Sequence, residues 1–154
     1  MELRHGNFAI NLPDDWEDRT TLLLVAPSRA AGRPTKNPIV EGGPAVSINF
    51  LIDDHEPRET LSAQATQLQT LDCGFATLSE GPFTVPLGPA WHQVQRLQMD
   101  GRWVRQLVVA CKVGPLTLVA SAAAIDERFD HTQAELTKIL QSMHRAETAR
   151  GVER

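Results

Sequence analysis

The sequence has little of what usually announces a function. Its 154 residues hold two cysteines, Cys73 and Cys111, far apart and without a neighbouring thiol. That excludes a disulfide scaffold, a CxxC redox pair and a cysteine-built zinc site, and both read as buried free thiols. There is no basic excess: 15 Lys and Arg stand against 19 Asp and Glu, a formal charge of −4. A nucleic-acid binder would need a basic face to neutralise phosphates, so that class is set aside. The longest apolar runs, Leu22–Pro27 and Leu107–Cys111, fall far short of the roughly 20 residues that span a bilayer. The opening MELRHGNFAINLP carries charge at Glu2 and Arg4 and bend-formers at Gly6, Asn7 and Pro13. It has no signal-peptide core or lipobox cysteine, so a cytoplasmic address is expected.

Catalytic signatures are equally scarce. His5, His55, His92, His131 and His144 form no HExxH or HxH pair, and no GxSxG, Walker loop or GxGxxG occurs. Asp53-Asp54-His55-Glu56 clusters ligand-type side chains, but adjacent residues on a turning chain diverge, and Pro57 follows. The cluster therefore reads as a helix start, with carboxylates at the positive end of the dipole and proline in the first turn. Glu127, His131 and Glu135 recur at four-residue spacing along a later helix, the pattern of a solvated face. Arg29, Arg33 and Lys36 sit in a Pro/Gly-rich stretch over 27–44 that reads as a solvated loop. No catalytic residue, metal or cofactor is expected, and the chain is not read as an enzyme.

What is present is a regular alternation of side chains. Phe8–Leu12 alternates apolar and polar residues, Thr20–Ala26 is apolar on both faces, and Ala45–Ile52 alternates cleanly. Each predicts a strand. Leu61, Ala65, Leu68 and Leu71 recur at helical spacing, with Gly74 placed to stop the helix. Phe75–Val85 reads as a strand interrupted at Gly81-Pro82. Trp91–Met99 and Arg102–Val113 flank Asp100-Gly101, a strong hairpin signal. Gly114-Pro115 marks another turn before the strand Leu116–Ala123. From Asp126 the period changes: Phe129, Leu136, Ile139, Leu140 and Met143 form one stripe of a helix reaching about Arg145. The expected fold is α+β, a mainly antiparallel twisted sheet of about six or seven strands with two principal helices packed on it. A single domain over 1–146 and a polar tail over 147–154 are expected.

The 42% hydrophobic content is ordinary as an average, but it concentrates on both faces of several strands: Leu22 to Val25, Leu107 to Ala110, and Leu116 to Ala120. Two helices cover roughly one face of such a sheet. The other face is then covered by loops or a partner subunit, or it is a hydrophobic binding surface. The candidate binding residues are Leu22, Leu24, Ile48, Phe50, Leu107 and Val109, and a one-residue change of register would move them all to the opposite face.

The segment Leu12-Pro13-Asp14-Asp15-Trp16-Glu17-Asp18-Arg19-Thr20 resembles the opening of the bacterial DcrB-like proteins. The later order also fits: a Leu/Gln-rich helix over 61–71, Gly74-Phe75, Pro89-Ala90-Trp91 entering a hairpin, and Leu116-Thr117-Leu118 before a helix through Ile139-Leu140-Gln141-Ser142-Met143. The similarity runs over about residues 6–145 and implies a PsbP-like α/β sandwich. In this pattern Trp16, Asp18 and Arg19 form a structural motif that anchors a turn and strand edges. Cytosolic members of the family include effector-associated chaperones of type VI secretion, in which a sheet surface shelters transmembrane helices of a toxic effector. The resemblance implies such a chaperone, a homodimer whose partner is the hydrophobic helices of a secreted effector. The alternatives are an assembly subunit that buries its apolar face in an obligate dimer, and a small-molecule or lipid-binding sandwich. The 27–44 insertion is longer than the corresponding connection in those chaperones.

Overall fold

Tight two-residue connections set the architecture. In the computed structural model, which describes residues 2–5, 8–11, 13–14, 17–18, 23–25, 44–52, 55–114 and 116–145, Asp100 and Gly101 both adopt positive φ (49° and 78°). That is the backbone of a type I′ turn, whose twist matches the strands it joins. It links β7 (Gly88–Met99) to β8 (Arg102–Val113) in continuous antiparallel register from Ala90↔Cys111 to Met99↔Arg102. β6 (Ala76–Val85) precedes them, and β9 (Leu116–Ile125) follows. Further upstream lie β1 (Glu2–His5), β2 (Phe8–Asn11), β3 (Glu17–Asp18), β4 (Leu23–Val25) and β5 (Ala45–Ile52).

Seven strands form one antiparallel sheet in the order β3-β4-β5-β9-β8-β7-β6. A second sheet, β1-β2-β10, joins the two ends of the described chain through β10 (His144–Arg145). The first helix, α1 (Pro57–Gln69), lies in the crossover from central β5 to edge strand β6, and the second, α2 (Asp126–Gln141), follows β9 directly.

The helices occupy opposite faces, and this corrects the expectation that both lie on one. Leu107, Val109 and Cys111 of β8 join a core with Phe129, Leu136, Ile139 and Leu140 of α2 and with Ile10 of the small sheet. Their neighbours Val108 and Ala110, pointing the other way, pack with Leu61 of α1. Because the strands are apolar on both faces, each face needs its own cover, and the two connections supply one each.

Other boundaries shift for local reasons. β6 runs unbroken through Gly81-Pro82 because it is an edge strand, where proline forfeits no ladder donor. Its register slips instead between Thr77 and Ser79. α2 stops at Gln141, and the expected last turn becomes β10, paired to Phe8 and Ala9. α1 begins as expected, with Pro57 in its first turn and the Glu56 N–H donating to Glu59 Oε1 at 3.1 Å. Asp53, Asp54 and residues 26–43, including Arg29, Arg33 and Lys36, lie outside the described residues.

Candidate functional site

Beneath α1 the sheet carries a line of amides. Trp91, Gln93 and Gln95 alternate along β7 toward this helix, and Gln106 stands opposite Gln95 on β8. Gln93 and Gln95 are 3% and 1% exposed, an unusual depth for glutamine. They are tolerated because their amides satisfy one another. Ser121 Oγ donates to Gln106 Oε1 at 3.2 Å, and Gln106 Nε2 donates to Gln95 Oε1 at 2.7 Å. Gln95 Nε2 then donates to Gln93 Oε1 at 2.8 Å. At the far end Glu80 Oε1 accepts from Trp91 Nε1 at 3.0 Å and, at 3.5 Å, from Gln93 Nε2. The ladder thus crosses β9, β8, β7 and β6.

One end of the ladder emerges from beneath α1. Gln106 and Ser121 are half-buried, and half-buried Ser47 of β5 stands opposite Ser121. Buried Ala45, Ala123 and Val119 flank them. On the same face Thr117 is fully buried, and its hydroxyl has no hydrogen-bond partner.

α1 packs on this surface through mostly small side chains. Leu61 is its one member of the apolar cluster formed with Val108, Ala110 and Val119. Pro57, Thr60 and Ala65 are also buried, while Leu71, which continues the predicted stripe, is 58% exposed. The Arg58 guanidinium lies 5.0 Å from the Trp91 ring centroid. Beyond the helix, the Gln98 N–H donates to the Cys73 carbonyl at 2.8 Å, which fixes the connection to β7. Gly74 is required there: its φ is +65°, and an added Cβ would sit 2.8 Å from the Trp103 ring. Arg96 stacks on that same ring at 3.9 Å.

The α2 face carries its polar groups at the helix start. Asp126 pairs with Arg105 at 2.8 Å and Arg96 at 3.2 Å, and Asp130 lies 3.4 Å from Arg105. These contacts pin the α2 amino terminus, where acidic residues also favour the dipole. Cys111 is buried in this core, and desolvation pushes its thiol above the usual range. An open groove of about 670 Å³ runs along the outer side of α2, lined by Asn11, Pro13, His131, Glu135, Lys138 and Ser142 among others. Glu127, His131 and Glu135 are all exposed. Among the described residues no three His, Cys, Asp or Glu side chains are grouped to hold a metal ion.

By register, the described binding residues expected from the sequence fall on one face of the sheet, the face that α2 covers. Ile48, Leu107 and Val109 lie in the core shared with α2, between 0% and 4% exposed. The backbone register sets Leu24 opposite Val46 and Phe50 opposite Leu118. Leu22 lies outside the described residues, as do Trp16 and Arg19, while Asp18 stands opposite Leu24 in the β3–β4 pair. The ladder itself is absent from the expected set. Its signal was the alternation Trp91-x-Gln93-x-Gln95, which in an isolated strand reads as a solvent-facing edge.

The sequence matches the DcrB family model over residues 8–142. The chain belongs to the DcrB family. That agrees with the resemblance carried by the Leu12–Thr20 segment. No curated protein matches this DcrB-family chain. Among solved structures, it is similar to a Pseudomonas aeruginosa protein of unknown function, with a TM-score of 0.63 and 15% identity over 96% of this chain and 98% of that one. The Ran-binding protein Mog1p of Saccharomyces cerevisiae gives a TM-score of 0.62 and 14% identity over 96% and 94%. The cyanobacterial PsbP of Synechocystis gives 0.55 and 9% identity over 90% and 86%. At such identities the likeness shows the fold, an α+β sandwich like those of PsbP and Mog1p, and the PsbP-like sandwich is the one the resemblance implied.

Proposed function

We propose that this DcrB-family protein is a non-enzymatic binding protein, a cytoplasmic chaperone or adaptor that shelters the hydrophobic transmembrane segments of a type VI secretion effector. It acts as a homodimer of single domains spanning residues 1–146, each with a polar tail over 147–154. The observation that carries this reading is the emergent end of the ladder. Half-buried Ser47, Gln106 and Ser121 carry hydrogen-bonding groups there, set among the buried small side chains of Ala45 and Ala123. Membrane helices associate through this same chemistry, small residues that let backbones approach and polar side chains that bond across the seam. A surface so built substitutes for a neighbouring membrane helix. No helix among the described residues is itself long and apolar enough to cross a membrane. The sheltering surface is accordingly assigned to the α1 face, since Ile48, Leu107 and Val109 are engaged by α2.

The test is co-expression with an effector whose amino-terminal segments are transmembrane helices. The soluble fraction of the effector rises with the wild-type protein and falls with a Ser47→Trp, Ser121→Trp double variant that fills the surface. An effector that stays soluble and is exported normally without this protein would sink the idea. Light scattering on the free protein tests the dimer, and a stable monomer removes that part of the reading.

A further inference from the structure

The two helices differ in how firmly they are held, and we infer that α1 is a displaceable cover that a partner's apolar helix replaces on the sheet. The inference rests on the sheltering role proposed above for its choice of partner, but not for the detachment itself. Among the described residues, α2 sends Phe129, Leu136, Ile139 and Leu140 into a core of eighteen buried residues, whereas α1 contributes Leu61 to a cluster of four. Local opening follows the density of buried apolar contacts, so the segment with the thinner anchor opens first. Pro57, Thr60 and Ala65 of α1 are buried but small, and the Arg58 guanidinium lies over Trp91 at the helix amino-terminal end. The connection after the helix stays fixed by the Cys73–Gln98 bond and the packing of Gly74 on Trp103. Detachment of α1 therefore leaves the seven strands and α2 in place.

The uncovered surface is suited to a second helix. α1 demonstrates that a helix fits there, with Val108, Ala110 and Val119 receiving one large aliphatic side chain. The Gln93–Gln95–Gln106 ladder keeps its internal bonds when α1 leaves, because none of them is made to α1. The buried Thr117 hydroxyl, unpaired and on this same face, is a group that a polar residue in an incoming helix would satisfy. The occupant is an apolar helix carrying a serine or threonine.

Hydrogen exchange followed by mass spectrometry on the full chain tests this. In the free protein the amides of residues 57–69 exchange about a hundredfold or more faster than those of β8 and β9. Leu61→Ala accelerates α1 alone by a further tenfold or more. Exchange of α1 together with β8 in a single step, in both proteins, overturns the detachment. The partner is probed with a synthetic lysine-flanked polyleucine helix of about 20 residues bearing a central serine. Bound peptide speeds exchange in α1 and slows it in β8 and β9. Peptide that slows α1, or that does not bind at all, overturns the replacement, while the free-protein exchange judges the detachment separately.

Discussion

On its α2 face the seven-stranded sheet presents Leu107, Val109, Leu118 and Ala120 to a helix bearing four large apolar anchors. On its α1 face it presents Gln93, Gln95 and Gln106, with Val108 and Ala110, to a helix bearing one. Full burial of each such anchor is worth about 1.5–3 kcal/mol, so the α2 face carries several times the hydrophobic stabilisation. The α1 face offsets that deficit with hydrogen bonds whose net contribution is only about 1 kcal/mol each. Their importance lies elsewhere. A buried amide must keep its partner or lose the full cost of desolvation, so the ladder enforces register and geometry more than it adds stability. One face holds the fold together, and the other holds a pattern of polar groups in place while remaining easier to uncover.

The largest expected contrast is in thiol reactivity. Cys111, buried in the α2 core with its thiol pushed up, should react with a maleimide more slowly than half-buried Cys73 by a factor on the order of a thousand. Equal labelling rates would break the comparison at its root. Next comes truncation of the anchors. Leu136→Ala should cost about 3–5 kcal/mol in urea unfolding, against about 2–3 kcal/mol for Leu61→Ala, whose thinner surroundings can close over the gap. Equal losses would mean that the α1 face is as tightly packed as the α2 face.

The ladder is probed by Gln95→Leu, which leaves the Gln93 carbonyl oxygen and the Gln106 amide nitrogen unpaired. A loss of about 1–3 kcal/mol is expected, and adding Gln106→Leu should recover part of it rather than double it. Strict additivity in that double-mutant cycle would show that the amides are not coupled. The smallest effect is expected for Arg58→Ala. Removal of its contact with half-buried Trp91 should cost about 0.5–1 kcal/mol, detectable as faster exchange in α1 while α2 is unchanged.

Much of the fold is legible in the sequence. The Asp100-Gly101 turn is legible because a type I′ turn needs positive φ at both positions and few residue pairs tolerate it. The stripe Phe129, Leu136, Ile139 and Leu140 is legible because an amphipathic helix must turn its apolar residues to one side, and all four are buried, whereas Met143, also buried, lies just beyond the helix. The small strands β1 and β10 are not, since two to four residues carry no periodicity, and β10 finds its partner β2 at the far end of the described chain. The candidate site was the least legible part. Ile48, Leu107 and Val109 read as binding-face candidates in the sequence, yet they lie in the core with α2, because a strand does not declare which of two apolar faces receives which helix.

By itself, then, the sequence determined the local choices: the hairpins, the start of α1, the helical stripe of α2 and the excess of apolar side chains on both faces of the strands. Those follow from backbone sterics and side-chain period, which act over a few residues. Only the tertiary structure decided that α1 and α2 lie on opposite faces, and that Ser121, Gln106, Gln95, Gln93 and Glu80 form one hydrogen-bonded line. A glutamine in a strand is suited equally to water and to another amide. Which of these it meets depends on the strands beside it and on the helix above.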